Sequence, residues 1–122
     1  MLTHLALFII MCTKMMITDD NEASAVINSI GFFYIFKKAT IFRPEFTIRI
    51  TKADFIKIEM VRQLAEYLNS KHNIHFCKYT EDKYETFKIT NRPVLLELIN
   101  FMNKNCFVEK KNQKEIYEFL NV

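Results

Sequence analysis

The side chains able to do chemistry are few in kind. Cys12, Cys77 and Cys106 are odd in number and far apart. With no Cys-x-x-Cys pair and no histidine at zinc-ligand spacing, they read as part-buried thiols of a reducing compartment, not as a disulfide frame or a metal knot. His72 and His75 stand three apart across a turn into a strand, without carboxylate or thiol companions, the pattern of surface histidines rather than ligands. Asp19, Asp20 and Glu22 lie ahead of a helical run, where negative charge suits the positive helix end. Lys104, Lys110, Lys111 and Lys114 fit two readings, a solvated basic end or a track of phosphate contacts. The remaining chemistry is aromatic: Phe32, Tyr34 and Phe36 fall on one side of an alternating segment that ends in Lys38. Rings and ammonium groups on one strand can stack on bases and hold phosphates.

A chain of 122 residues, half of them hydrophobic, is long enough for one domain with a real core and too short for two. One glycine and two prolines exclude a linker-rich or disordered class. The formal charge of +3 leans mildly towards polyanions. The apolar run over residues 5–12 falls well short of the ~20 residues a membrane crossing needs. It lacks the basic front and small-residue cleavage site of a secretory signal, and the arginines of a transit peptide. We therefore expect residues 1–18 to form an N-terminal apolar extension that packs on its own domain, residues 19–122, or on a partner, with no membrane involved. Abundant Phe, Ile, Lys and Asn without Trp resemble the codon bias of an AT-rich genome, which points to an organelle, in particular the mitochondrion, where an encoded protein needs no import signal.

Periodicity orders the chain as helix, hairpin, helix, hairpin, helix, helix. A small-residue helix is expected over 22–30 and an aromatic strand over 32–38, with Gly31 between them taking the left-handed conformation that closes the last turn. A loop over 39–43 leads to a strand over 45–51, where Phe46, Ile48 and Ile50 alternate with Glu45, Thr47, Arg49 and Thr51. An amphipathic helix follows from Asp54 to near Asn69, its buried stripe formed by Phe55, Ile58, Val61, Leu64, Ala65 and Leu68. Strands over 74–79 and 84–90 flank a polar turn, Pro93 opens a third helix with Val94, Leu95, Leu98, Ile99 and Met102 inside, and a short helix covers 113–120. Two hairpins interleaved with helices build an α+β domain: a four-stranded antiparallel sheet with helices on one face and the other face open.

The segment Ala-Ser-Ala-Val-Ile-Asn-Ser-Ile-Gly-Phe-Phe-Tyr-Ile, residues 23–35, resembles the signature of the LAGLIDADG homing endonuclease family. Residues 43–48, 87–90, 95–101 and 107–111 resemble, in order and at fitting spacings, that family's second strand, fourth strand, third helix and basic segment. The resemblance implies a homing-endonuclease-like αββαββα fold. It also implies that signature helices of two subunits, or of two halves of one chain, pack through small residues, here Ala25 and Ser29; these fit a homodimer or a protein partner, and equally a second helix of the same chain. In the family the helix ends deliver acids that hold a divalent metal for phosphodiester hydrolysis. Here those positions are Ile30 and Asn28. Neither supplies a carboxylate, and Asp19, Asp20 and Glu22 sit at the opposite end of the helix.

The resemblance thus implies a degenerate member with no catalytic residue, no metal and no cofactor, Lys110 (or Lys111) matching the lysine that supports the site in relatives. The open face is expected to present Phe32, Tyr34, Phe36, Lys38, Glu45, Thr47, Arg49, Tyr84, Thr86 and Lys88, with Lys110 and Lys111 as further nucleic-acid contacts. Successive aromatics suit stacking on unpaired bases. Equally, they suit cover by a protein partner or by the run at 5–12. The expected function is binding of structured RNA, as a splicing factor or an organellar ribosomal or ribonucleoprotein subunit. The alternative is a homodimeric, intron-encoded DNA homing endonuclease, the one case that requires Mg2+.

Overall fold

The computed structural model describes residues 16–105 and 109–122. The expectations for the run at 5–12, for Cys12, and for Cys106 and Phe107 lie outside the described residues. The elements are α1 (Asp20–Ile30), β1 (Gly31–Lys38), β2 (Ile41–Thr51), α2 (Phe55–His72), β3 (Cys77–Thr80), β4 (Tyr84–Ile89), α3 (Arg92–Asn105) and α4 (Gln113–Leu120). The strands form one sheet in the order β1-β2-β4-β3, every neighbouring pair antiparallel. This is the α+β arrangement that the periodicity implied.

α1, α2 and α3 start where Asp19, Asp54 and Asn91 supply a side-chain acceptor for an orphan amide, whereas Asn112 ahead of α4 makes no such bond. The Asp19 carboxylate accepts from the Glu22 N–H at 2.8 Å, and Glu22 reaches back to the Thr18 N–H at 2.7 Å and hydroxyl at 2.8 Å. Asp54 accepts from the Lys57 N–H in the same way. α1 thus begins at Asp20, two residues before the expected start at Glu22, because the caps and not the apolar stripe set its start. α2 runs to His72, three residues past the expected end, and closes with Asn73 at φ 56°, its N–H and that of Ile74 both donating to the Leu68 carbonyl. That closure takes residues 74–76 out of the expected strand, so β3 starts at Cys77, which is exposed rather than part-buried.

Helices and sheet meet over one core. Phe46 and Ile48 from β2, Leu64 and Leu68 from α2, Leu95 and Leu98 from α3, and Val26 and Ile27 from α1 are fully buried there. Four expectations need correction. Phe55 is 79 % exposed and outside the stripe, which runs through Met60, Val61, Leu64 and Leu68. The loop over 39–43 shrinks to the turn Ala39-Thr40, and β2 carries on through Pro44. Pro44 lies beyond the last β2–β4 pair, Phe46 with Ile89, where β2 is an edge on that side and tolerates proline.

Gly31 is not left-handed: its φ and ψ of −85° and 151° are extended. The glycine is required for space. A Cβ there would overlap the tip of the buried Phe46 ring and lie 2.9 Å from the Ile27 carbonyl oxygen. Finally, His72 does have a carboxylate companion. Its Nε2 lies 2.7 Å from Asp20 Oδ1, which also accepts from the Tyr67 hydroxyl at 2.6 Å, while the imidazole packs edge-on against Phe101. The Tyr67 and His72 hydrogen bonds hold Asp20 below the usual carboxylate range, and burial, with Asp20 adding to it, pushes Tyr67 up to about 12. This cluster pins the start of α1 to the end of α2.

Candidate nucleic-acid interface

β1 and β2 turn alternate side chains away from the helices, and the register then decides which of them meet. Phe32 lies opposite Thr47, Tyr34 opposite Glu45 and Phe36 opposite Arg43. Across the next ladder Thr47 pairs with Lys88, Arg49 with Thr86 and Thr51 with Tyr84. β3 adds Tyr79 beside Thr86. The result is a trough of about 450 Å³ lined by Phe32, Tyr34, Phe36, Arg43, Glu45, Thr47, Arg49, Glu81, Thr86 and Lys88.

Its walls and floor differ in kind. Phe32 and Tyr34 remain 41 % and 47 % exposed along the β1 edge, and Tyr79 and Tyr84 are exposed on the other side. Between them Glu45, Thr47 and Thr86 are only 6 %, 4 % and 2 % exposed, although they face away from the helical core. The floor is wired by charge. Arg49 pairs with Glu81 at 2.8 Å and lies over the Tyr84 ring, Glu81 also accepts from the Thr86 hydroxyl at 2.8 Å, and Lys88 pairs with Glu45 at 3.4 Å. The Thr86 hydrogen bond, and after it Arg49, hold Glu81 below its ordinary range. The Thr47 hydroxyl is buried with no hydrogen-bond partner among the described residues. Arg43 stacks on Phe36 at 4.7 Å.

The expected face residues Phe32, Tyr34, Phe36, Thr47, Arg49, Thr86 and Lys88 are therefore brought together. Tyr84 joins them through Arg49, while Lys38 stands at the hairpin end, opposite Ile41. Arg43 and Glu81 were not foreseen. Arg43 continues the alternation of Glu45, Thr47 and Arg49 backwards past Pro44, a signal present in the sequence; Glu81 arrives from the β3–β4 turn, which has no period to read.

The end of α1 is a separate locale. The Lys110 ammonium donates to the carbonyls of Asn28 at 3.1 Å and Gly31 at 2.7 Å, capping the negative end of the helix. Lys111 is exposed beside it. Ala25 is buried within the single chain, and α1 packs against α2 and α3. Ser29 is half-buried, and its hydroxyl and the Asn28 side-chain oxygen are buried without partners among the described residues. These groups do not fit the divalent ion of the resemblance. Ile30 offers no oxygen, Asn28 adds no charge, a lysine ammonium already sits on the helix carbonyls, and among the described residues no three His, Cys, Asp or Glu side chains come together as a metal site.

Comparison of the architecture with solved structures decides its class. The chain superposes on the homing endonuclease I-TnaI with a TM-score of 0.66 at 20 % identity, over 87 % of this chain and 74 % of that one. The fold is that of the LAGLIDADG homing endonucleases. The LAGLIDADG meganuclease I-CpaMI, solved bound to uncleaved DNA, matches with a TM-score of 0.66 at 16 % identity over 86 % of this chain. The archaeal intron-encoded I-Vdi141I, complexed with DNA, gives 0.60 at 19 % identity over 84 % of this chain and 66 % of that one. This chain spans 38 % of the I-CpaMI chain and 35 % of the LAGLIDADG meganuclease I-AabMI. No protein-family model and no curated protein sequence matches the chain. Among the described residues no helix is long and apolar enough to cross a membrane.

Proposed function

We propose that this chain binds RNA with unpaired bases on the open face of its LAGLIDADG-type sheet and does not cut it, acting as a splicing factor or a ribonucleoprotein subunit in an organelle, the mitochondrion in particular. One observation carries the reading: a trough with aromatic walls and a polar, charge-paired floor. Phe32, Tyr34, Tyr79 and Tyr84 are exposed aromatic rings, a side-chain type that stacks on unpaired bases, whereas reading of duplex DNA in the major groove relies on Arg, Lys, Asn and Gln reaching base edges. Arg43, Arg49 and Lys38 supply positive charge for the backbone. The absence of cleavage rests on Ile30 and Asn28, and on Lys110 serving the helix end instead of a reaction centre. The AT-rich-type composition supports the organellar setting.

A second reading, a homodimeric DNA homing endonuclease, is favoured by the DNA complexes of I-CpaMI and I-Vdi141I. The single signature segment would then require two copies of the chain, and Ile30 and Asn28 speak against its chemistry. Equilibrium binding of single-stranded RNA and of duplex DNA, titrated with salt, separates the readings. Three phosphate contacts at about 0.7 each give an expected slope of log affinity against log salt of about −2 for single strands. Binding indifferent to salt, or no binding, overturns the proposal in favour of a face covered by another protein.

A further inference from the structure

Within that RNA-binding reading, on which it rests, we infer that the trough is a base-specific site for one unpaired guanine, read by Glu45 and Lys88 with the base lying against Phe32 and Tyr34. A face built only to follow phosphates has no use for a buried carboxylate, since anion would meet anion. Yet three of the four buried polar side chains of the described residues, Glu45, Thr47 and Thr86, lie in this trough, and Glu45 is its one nearly sequestered charge. Such a group needs compensating partners. Lys88, 3.4 Å away, is one, with its ammonium also 5.7 Å from the Tyr79 ring centre.

The base edge that complements this floor is set by donor and acceptor order. Two adjacent N–H donors facing a two-oxygen carboxylate occur on one common base edge, the Watson–Crick edge of guanine, with N1–H beside the 2-amino group. The neighbouring O6 is an acceptor, and the neighbouring group on the protein is the Lys88 ammonium. Adenine and cytosine offer Glu45 a single amino group, and uracil a single N–H flanked by two carbonyl oxygens. The Thr47 hydroxyl, buried and without a hydrogen-bond partner among the described residues, belongs to the same trough, at the residue between Phe32 and Lys88 in the register. A volume of about 450 Å³ admits a nucleoside standing edge-down on the floor with its ring face against the β1 wall. In a duplex that edge is already paired, so the site selects unpaired guanine.

The test is fluorescence anisotropy of the full chain with oligouridylates of about 12 nucleotides, identical except for one central G, A, C, U or inosine. The guanine oligonucleotide is expected to bind about 10- to 100-fold more tightly than those with A, C or U at matched salt. Inosine, which lacks only the 2-amino group, loses about tenfold, and Glu45→Gln collapses the guanine preference while retaining side-chain shape. The inosine comparison leaves the protein untouched and so stands even if the variant fails to fold. Equal binding of all five oligonucleotides, or inosine equal to guanosine, overturns the guanine site but leaves RNA binding intact. Failure to bind any of them removes both.

Discussion

Substituting Gly31 with alanine separates two reasons for a glycine at the helix-to-strand junction. The backbone there is extended, a conformation open to any residue, so the substitution carries no φ penalty. The added methyl instead meets the Phe46 ring and the Ile27 carbonyl oxygen. Phe46 is fully buried, with Phe33 edge-on at 5.3 Å between ring centres and Phe76 at 6.5 Å, so it cannot swing aside, and the other near atom belongs to the backbone. Overpacking of this type costs about 2–3 kcal/mol. At about 4 °C per kcal/mol for a domain of this size, Gly31→Ala should lower Tm by about 10 °C. In a Phe46→Leu background the ring tip is gone and the same substitution should cost no more than about 1 kcal/mol, a coupling of about 1.5 kcal/mol. Urea or thermal melts of the four proteins in the cycle measure it. An equal cost in both backgrounds would show that glycine is needed for its conformation, and refute the spatial account.

Two further changes probe the fixings of α1. Asp20→Asn removes a carboxylate held by Tyr67 and His72; with its partial exposure discounted, the loss at neutral pH should be about 1 kcal/mol. Because the folded-state pKa of Asp20 is depressed, its contribution is present above the unfolded carboxylate value and lost as pH falls through the folded one. Urea melts of wild type and variant should therefore converge in acid, and a constant gap would contradict the assignment. Lys110→Met leaves the Asn28 and Gly31 carbonyls without their ammonium donor, at a cost of about 1–2 kcal/mol by chemical denaturation, whereas a purely phosphate-binding lysine would leave stability unchanged.

Much of the fold was legible because its signals are periodic. The alternation of Phe46, Ile48 and Ile50 with Glu45, Thr47 and Arg49 placed the open face correctly, and the Asp19 and Asp54 caps marked two helix starts. What failed was information carried by distant partners. Gly31 looked like a turn residue because the Phe46 ring that crowds it lies fifteen positions on. Phe55 keeps helical spacing with the stripe, but period says nothing of whether a neighbouring element covers a residue, and it lines a surface hollow with Ile56. The Asp20–His72 and Lys110–Asn28 contacts span 52 and 82 positions and leave no local trace. At the site itself, proline concealed Arg43, and the burial of Glu45, opposite Tyr34, emerges only when the strands pair.

The central claim is that a LAGLIDADG-type sheet here grips unpaired RNA without cutting nucleic acid. Its most direct test is a competition between single-stranded RNA and duplex DNA for the purified chain at fixed salt with Mg2+ present, read for both affinity and strand breaks. Tighter binding of the RNA with every strand intact is the predicted result; tighter binding of the duplex, or Mg2+-dependent cleavage of it, would contradict the account.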